Sequence, residues 1–141
     1  MNIYFIISLV IGLLLIFLVG YTILDEIKIR KNKQFIVRWQ NIQKLCLNPS
    51  NWNKVVIESD KLLAEVLKKK HFKGKNVGEK IVSAQRILSN NDAIWSCHKL
   101  ANQIQEKTVS IQDKKLLIKT ISGYHQALVD LMILKAGVKK K

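Results

Sequence analysis

The sequence predicts an all-α protein: one N-terminal transmembrane helix followed by a small four- to five-helix bundle. Three observations carry that expectation. No charged side chain occurs from Met1 to Leu24, and that stretch is apolar almost throughout. Beyond it, apolar residues return every three or four positions, with no sustained period-two alternation that would mark a strand. One proline and six glycines in 141 residues leave little material for the turns of an all-β fold.

The first element is the apolar run itself. Ile3 to Leu24 reads IYFIISLVIGLLLIFLVGYTIL. At ~1.5 Å per residue it is long enough for a hydrocarbon core ~30 Å thick. Each Leu, Ile, Val or Phe favours insertion by roughly half a kcal/mol, and Tyr4 and Tyr21 sit near the two ends, where aromatic residues meet the headgroups. A cleaved signal peptide is the rival. It calls for a basic start, a shorter apolar stretch and a small-x-small site, none of which this run offers. Gly12 and Gly20 are not spaced as Gly-x-x-x-Gly, so nothing announces dimerisation of the span.

Orientation is set by the basic residues. Lys28, Arg30, Lys31, Lys33 and Arg38 come directly after the span and none precedes it. Positive flanks stay in the cytoplasm, so the N-terminus is expected outside the cell membrane and the remainder inside. Lys28, Arg30, Lys31 and Lys33 then lie where anionic lipid phosphates would be, although fixing topology alone explains them.

The next segment, 25–48, reads as a juxtamembrane helix with Ile27, Phe35, Trp39, Ile42 and Cys46 at helical spacing. Asn48-Pro49-Ser50-Asn51 breaks it and leaves Ser50 or Asn51 to cap the next helix. The bundle domain is expected over 49–136. Its first helix, Trp52 to Lys70, carries a stripe of Trp52, Val55, Val56, Leu62, Leu63, Val66 and Leu67, with Asp60 at its edge and Glu58 and Glu65 pointing away. A shorter helix from Val77 to Leu88 turns Val77, Ile81, Ala84 and Leu88 inward. Ser89 to Asp92 is rich in capping residues. A helix from Ala93 to Glu106 has Ile94, Cys97, Ala101 and Ile104 on one face. Ser110-Ile-Gln-Asp113 looks like a capping box with Asp replacing the usual Glu. The last helix, Gln112 to Ala136, has a seam of Leu117, Ile121, Tyr124, Leu128 and Leu131. Gly137 ends it, and 137–141 is a basic tail.

The formal net charge is +14. Such a surplus favours anionic partners, whether nucleic acid or acidic lipid. Yet only Arg30, Arg38 and Arg86 are arginines. Sequence-reading nucleic-acid surfaces usually use arginine's planar fork, so much of the lysine can be compositional. The partners expected are the bilayer and a second protein or a second copy of the chain, with nucleic acid an open option. Cys46 and Cys97 have no metal-ligand company and read as small buried hydrophobes in a reducing compartment.

No phosphate loop, Cys-x-x-Cys, His-Glu-x-x-His or Gly-x-Ser-x-Gly occurs. No cofactor, metal or small-molecule substrate is indicated. His71 lies in a lysine-rich turn and is expected in solvent; His98 and His125 adjoin apolar faces, where a histidine is usually packed.

Two stretches resemble known proteins. Trp52-Asn-Lys-Val-Val-Ile-Glu-Ser-Asp60-Lys-Leu-Leu, with Gly74-Lys-Asn-Val-Gly-Glu79-Lys, is similar to a pattern in small membrane-anchored helical proteins of candidate-phyla bacteria (Saccharibacteria and relatives). Ala93-Ile-Trp95-Ser-Cys-His98-Lys-Leu-Ala101-Asn102-Gln-Ile-Gln-Glu106 resembles a HEPN-type helix, and the resemblance spans Arg38 to Leu134. It implies a helical bundle, and in active members a ribonuclease or toxin whose arginine holds a phosphate while a histidine moves a proton. Ala101 stands at the arginine position and Glu106 at the histidine position; only Asn102 matches. That departure implies a chain without the reaction: a non-catalytic binding or scaffolding module, with a HEPN-related RNA-binding protein or ribonuclease as the alternative. His98, Lys99 and Asn102 are the residues expected to touch a ligand or RNA.

Overall fold

The computed structural model describes residues 2–135, apart from the side chains at positions 25, 28, 29 and 31. Every regular element among them is helical. They are α1 (Ile3–Leu45), a 3-10 turn (Pro49–Asn51), α2 (Trp52–Lys69), α3 (Val77–Ala84), α4 (Asn91–Gln105) and α5 (Lys114–Asp130). One long apolar N-terminal helix and a small helical bundle are therefore what the chain forms.

Two compact units divide the chain, Met1–Gln34 and Phe35 onward, and α1 contributes to both. In the first unit, Ile3–Leu24 is long and apolar enough to cross a membrane: 22 residues with a mean hydropathy of 2.9, none of them buried by the protein. Its two hydroxyls bond within the helix, Ser8 Oγ to the Phe5 carbonyl at 2.9 Å and Thr22 Oγ1 to the Val19 carbonyl at 2.8 Å. Neither hydroxyl therefore relies on water. Ile27, which shares the helical spacing of Phe35, Trp39 and Ile42, is exposed.

The second unit begins inside the segment that periodicity alone assigns to a juxtamembrane helix. Phe35, Trp39 and Ile42, on one face of α1, are buried in the common core. Polar contacts frame them. Lys69 Nζ lies 4.8 Å from the centre of the Phe35 ring, Arg38 pairs with Glu65, and Trp52 Nε1 donates to the Cys46 carbonyl at 3.0 Å.

α2 is the central helix. It packs against α4 and α5, which also pack against each other, and α3 rests on α2 and α4. Val55, Val56, Leu62, Leu63, Val66 and Leu67 are wholly buried on its stripe, each contributing roughly 1.5–3 kcal/mol relative to exposure. α4 and α5 approach closely at Gly123, where a Cβ would lie 2.7 Å from Cys97 Sγ.

The helix ends correct several expectations. Asn48, not Ser50 or Asn51, supplies the side-chain cap after α1, accepting from Ser50 N; Asn51 makes no side-chain cap bond. Ser110 is not the cap of α5 either. Asp113 accepts from Lys115 N, while Ser110 Oγ accepts from Asn53 Nδ2 at 3.2 Å. α3 stops at Ala84, short of Leu88, although Leu88 is still buried.

The largest difference is at α5, which ends at Asp130 and not near Ala136. Met132 adopts φ 56°, and Ile133 N–H reaches back to the Leu128 carbonyl at 2.9 Å. That turn closes the helix and buries Ile133 against the core. Apolar spacing cannot reveal it, because Ile133 and Leu134 serve a folded-back strap as well as a continued helix. Gly137 and the lysine tail lie outside the described residues.

Candidate functional site

Asp60 is the residue around which the second unit's polar interior is built. It is only 4% exposed, on the apolar stripe of α2 and not at its edge as periodicity suggests. A carboxylate there needs donors. Tyr124 of α5, itself fully buried, donates its hydroxyl to Asp60 Oδ1 at 3.0 Å. His98 of α4 meets the same carboxylate through Nδ1, at 2.9 Å from Oδ1 and 3.1 Å from Oδ2. Three helices are thus joined through one carboxyl group.

The contact fixes which ring nitrogen faces the carboxylate. Nδ1 donates to Asp60, and in the neutral imidazole Nε2 is the acceptor. The nearest donor to Nε2 is the Asn102 carboxamide at 3.4 Å, longer than a good N–H···N or N–H···O bond. His98 is 9% exposed and forms the inner wall of an open groove of about 710 Å³. Asn76, Val77 and Gly78 line it from α3 and its cap, and Trp95, Ser96, Lys99 and Asn102 from α4.

Local sequence explains the groove's shape. Asn76 caps α3 by accepting from Glu79 N at 2.8 Å, and Glu79 returns the contact, accepting from Asn76 Nδ2 at 3.2 Å and from Lys75 N at 2.6 Å. This reciprocal arrangement holds one lip. Gly74 precedes it at φ 147°, and a Cβ there would meet the Lys80 backbone nitrogen at 2.7 Å, so only glycine fits. Gly78 lets the Trp95 indole lie across α3; a Cβ would stand 3.1 Å from its edge. Trp95 remains 42% exposed and meets His98 edge-on with ring centres 6.2 Å apart.

Of the site residues expected from the sequence, His98, Lys99 and Asn102 come together on this groove. Arg30 and Lys33 are on α1 and both exposed, while the side chains of Lys28 and Lys31 lie outside the described residues. Ala101, at the position of the HEPN arginine in the resemblance, is wholly buried; Glu106 is the C-cap of α4. Sequence reasoning misses Asp60, Tyr124, Trp95 and Gly78 as parts of the site. No group of three or more His, Cys, Asp or Glu side chains among the described residues could hold a metal ion.

Family models, curated proteins and solved structures yield no match to this chain. The groove's chemistry rests on its own residues.

Burial and the Asp60 charge act on the neighbours. Cys97, whose Sγ lies 3.4 Å from the Thr120 carbonyl, has its thiol pushed up to about 11, first by desolvation and then by Asp60. The Tyr124 hydroxyl moves in the same direction for the same two reasons. A thiol reagent at pH 8 should therefore modify half-buried Cys46 and leave Cys97 intact until the bundle unfolds, which mass spectrometry after partial labelling reads out. The Cys97 contribution to stability should be constant below pH 9, the unfolded thiol's value, and be lost as pH rises toward about 11. Cys97→Ala should remove part of that alkaline loss, measured as the melting temperature against pH.

Proposed function

We propose that this chain is a single-pass protein of the cell membrane, with its basic helical domain in the cytoplasm acting as a non-catalytic binding or scaffolding module. The observation that carries the reading is the Ile3–Leu24 helix, strongly apolar and with none of it buried by the described residues. An apolar surface of that extent needs a lipid environment. The basic residues after it favour retention of the domain on the cytoplasmic side. Arg30 and Lys33, with Lys28 and Lys31, are the proposed contacts to anionic lipid. Tethering would raise the local concentration of whatever the domain binds.

A non-catalytic role is supported by Ala101, whose buried methyl group cannot hold a phosphate. A HEPN-related RNA-binding protein is the second reading, favoured by the placement of His98, Lys99 and Asn102 beside an exposed tryptophan. A salt series separates the two: phosphate contacts make RNA affinity fall steeply with salt. The location is tested with a C-terminal tag. The chain should remain in the membrane pellet after alkaline carbonate, with the tag protected from protease in intact cells and cleaved after lysis. Recovery of the tagged domain in the medium would refute the reading.

A further inference from the structure

We infer that the groove over His98 is a binding site for a planar aromatic ring carrying a hydroxyl donor and an anionic group, that is, a hydroxylated aromatic acid. The inference builds on the reading of the domain as a binding module and supplies the chemistry of its ligand. Sequence alone indicates no small molecule; the site is made by residues from two helices.

Three features define the ligand. With Nδ1–H donating to Asp60, Nε2 of the neutral imidazole is an acceptor. The residue is about nine-tenths buried, yet the closest donor to Nε2 is the 3.4 Å contact from Asn102. That contact is long for a hydrogen bond, and a ligand O–H at ordinary distance would replace it with a stronger one. The carboxylate behind the imidazole also makes Nε2 a stronger acceptor. The ligand must therefore present a donor, not a second acceptor.

The second feature is the indole of Trp95, held across Gly78 with much of its surface open. Beside it Val77 extends the apolar wall. A flat ring covers that surface at low entropic cost and gains stacking. The third is charge. Lys99 lines the groove and no carboxylate does. The ion pairs Arg38–Glu65 and Lys61–Glu58 lie elsewhere and leave Lys99 out. Its ammonium is the counterpart for a carboxylate on the ring.

The test uses the full chain in lipid nanodiscs with 15N-labelled histidine, titrated with 4-hydroxybenzoate, benzoate and phenol. 4-Hydroxybenzoate is expected to shift the His98 Nε2 resonance and quench the emission that Trp95→Phe removes. Benzoate, lacking the hydroxyl, and phenol, lacking the charge, are each expected to bind about tenfold more weakly. Lys99→Ala should weaken 4-hydroxybenzoate severalfold and leave phenol unchanged. Both substitutions are at exposed positions, and retention of the fold is verified by an unchanged far-ultraviolet circular dichroism spectrum and a cooperative melt. Equal affinity for the three compounds, or no response at His98, overturns the proposal. So does binding of a single-stranded oligonucleotide at the same residues when 4-hydroxybenzoate leaves them undisturbed. None of these results bears on membrane location, which the carbonate and protease experiments decide separately.

Discussion

Asp60→Ala is expected to destabilise the helical unit by about 3 kcal/mol or more, since it strands two buried groups and each costs ~1–3 kcal/mol when left without a partner. The Tyr124 hydroxyl and His98 Nδ1 both donate to this carboxylate from within the core. Asp60→Asn keeps one oxygen for them and should cost far less. Urea denaturation followed by near-ultraviolet circular dichroism would measure both. If the alanine and asparagine variants melted alike and close to the parent, the carboxylate would not be organising the interior. The same measurement on Tyr124→Phe should show a smaller loss, because that change removes the donor together with its need for an acceptor.

Trp39→Ala should cost about 3–5 kcal/mol, the usual penalty for emptying an aromatic site in a core. Trp39 is 2% exposed and stands with its ring centre 6.0 Å from that of His125. The value matters beyond its size. If 25–48 were a mere connector, an alanine there would be nearly silent. A large loss establishes that folding of the bundle includes the last turns of α1. Gln40→Ala, on the exposed side of the same turn, is the matched control and should change stability by no more than ~0.5 kcal/mol.

The fold is legible in the sequence where periodicity reports it. The stripe Val55, Val56, Leu62, Leu63, Val66 and Leu67 and the seam Leu117, Tyr124, Leu128 and Leu131 are local patterns and are buried, while Trp52 and Ile121, read into the same patterns, are half-buried. Cap identities are harder to read. Ser110 and Asp113 are both good capping residues, and what separates them is that Ser110 bonds to Asn53, distant in sequence. The end of α5 is illegible because its closing residue is a methionine, not a glycine.

The site is half legible. His98, Lys99 and Asn102 stand within one turn and a half of α4, so their common groove follows from helix geometry. The role of Asp60 does not. Its partners lie 38 and 64 residues away, and a charged residue beside a stripe is usually solvated. A signal does exist: Asp60 has the phase of Val56, Leu63 and Leu67, and His98 that of Ile94 and Ala101. Two complementary polar residues, each on an apolar stripe, are what a buried pair between helices looks like in one dimension.

The stops of α2, α4 and α5 share a further property. Each is closed by a non-glycine residue with positive φ: His71 at 61°, Lys107 at 58° and Met132 at 56°. After each, an N–H reaches back five residues, from Phe72 to Leu67, Thr108 to Gln103 and Ile133 to Leu128. An L side chain in that conformation costs ~1 kcal/mol that glycine would not. The protein thus holds three openings for reinforcement at sites away from the His98 groove. Its tolerance of heat is set below what its architecture permits, and an engineer wanting a sturdier scaffold could begin at those three hinges of left-handed backbone without repacking a single core side chain.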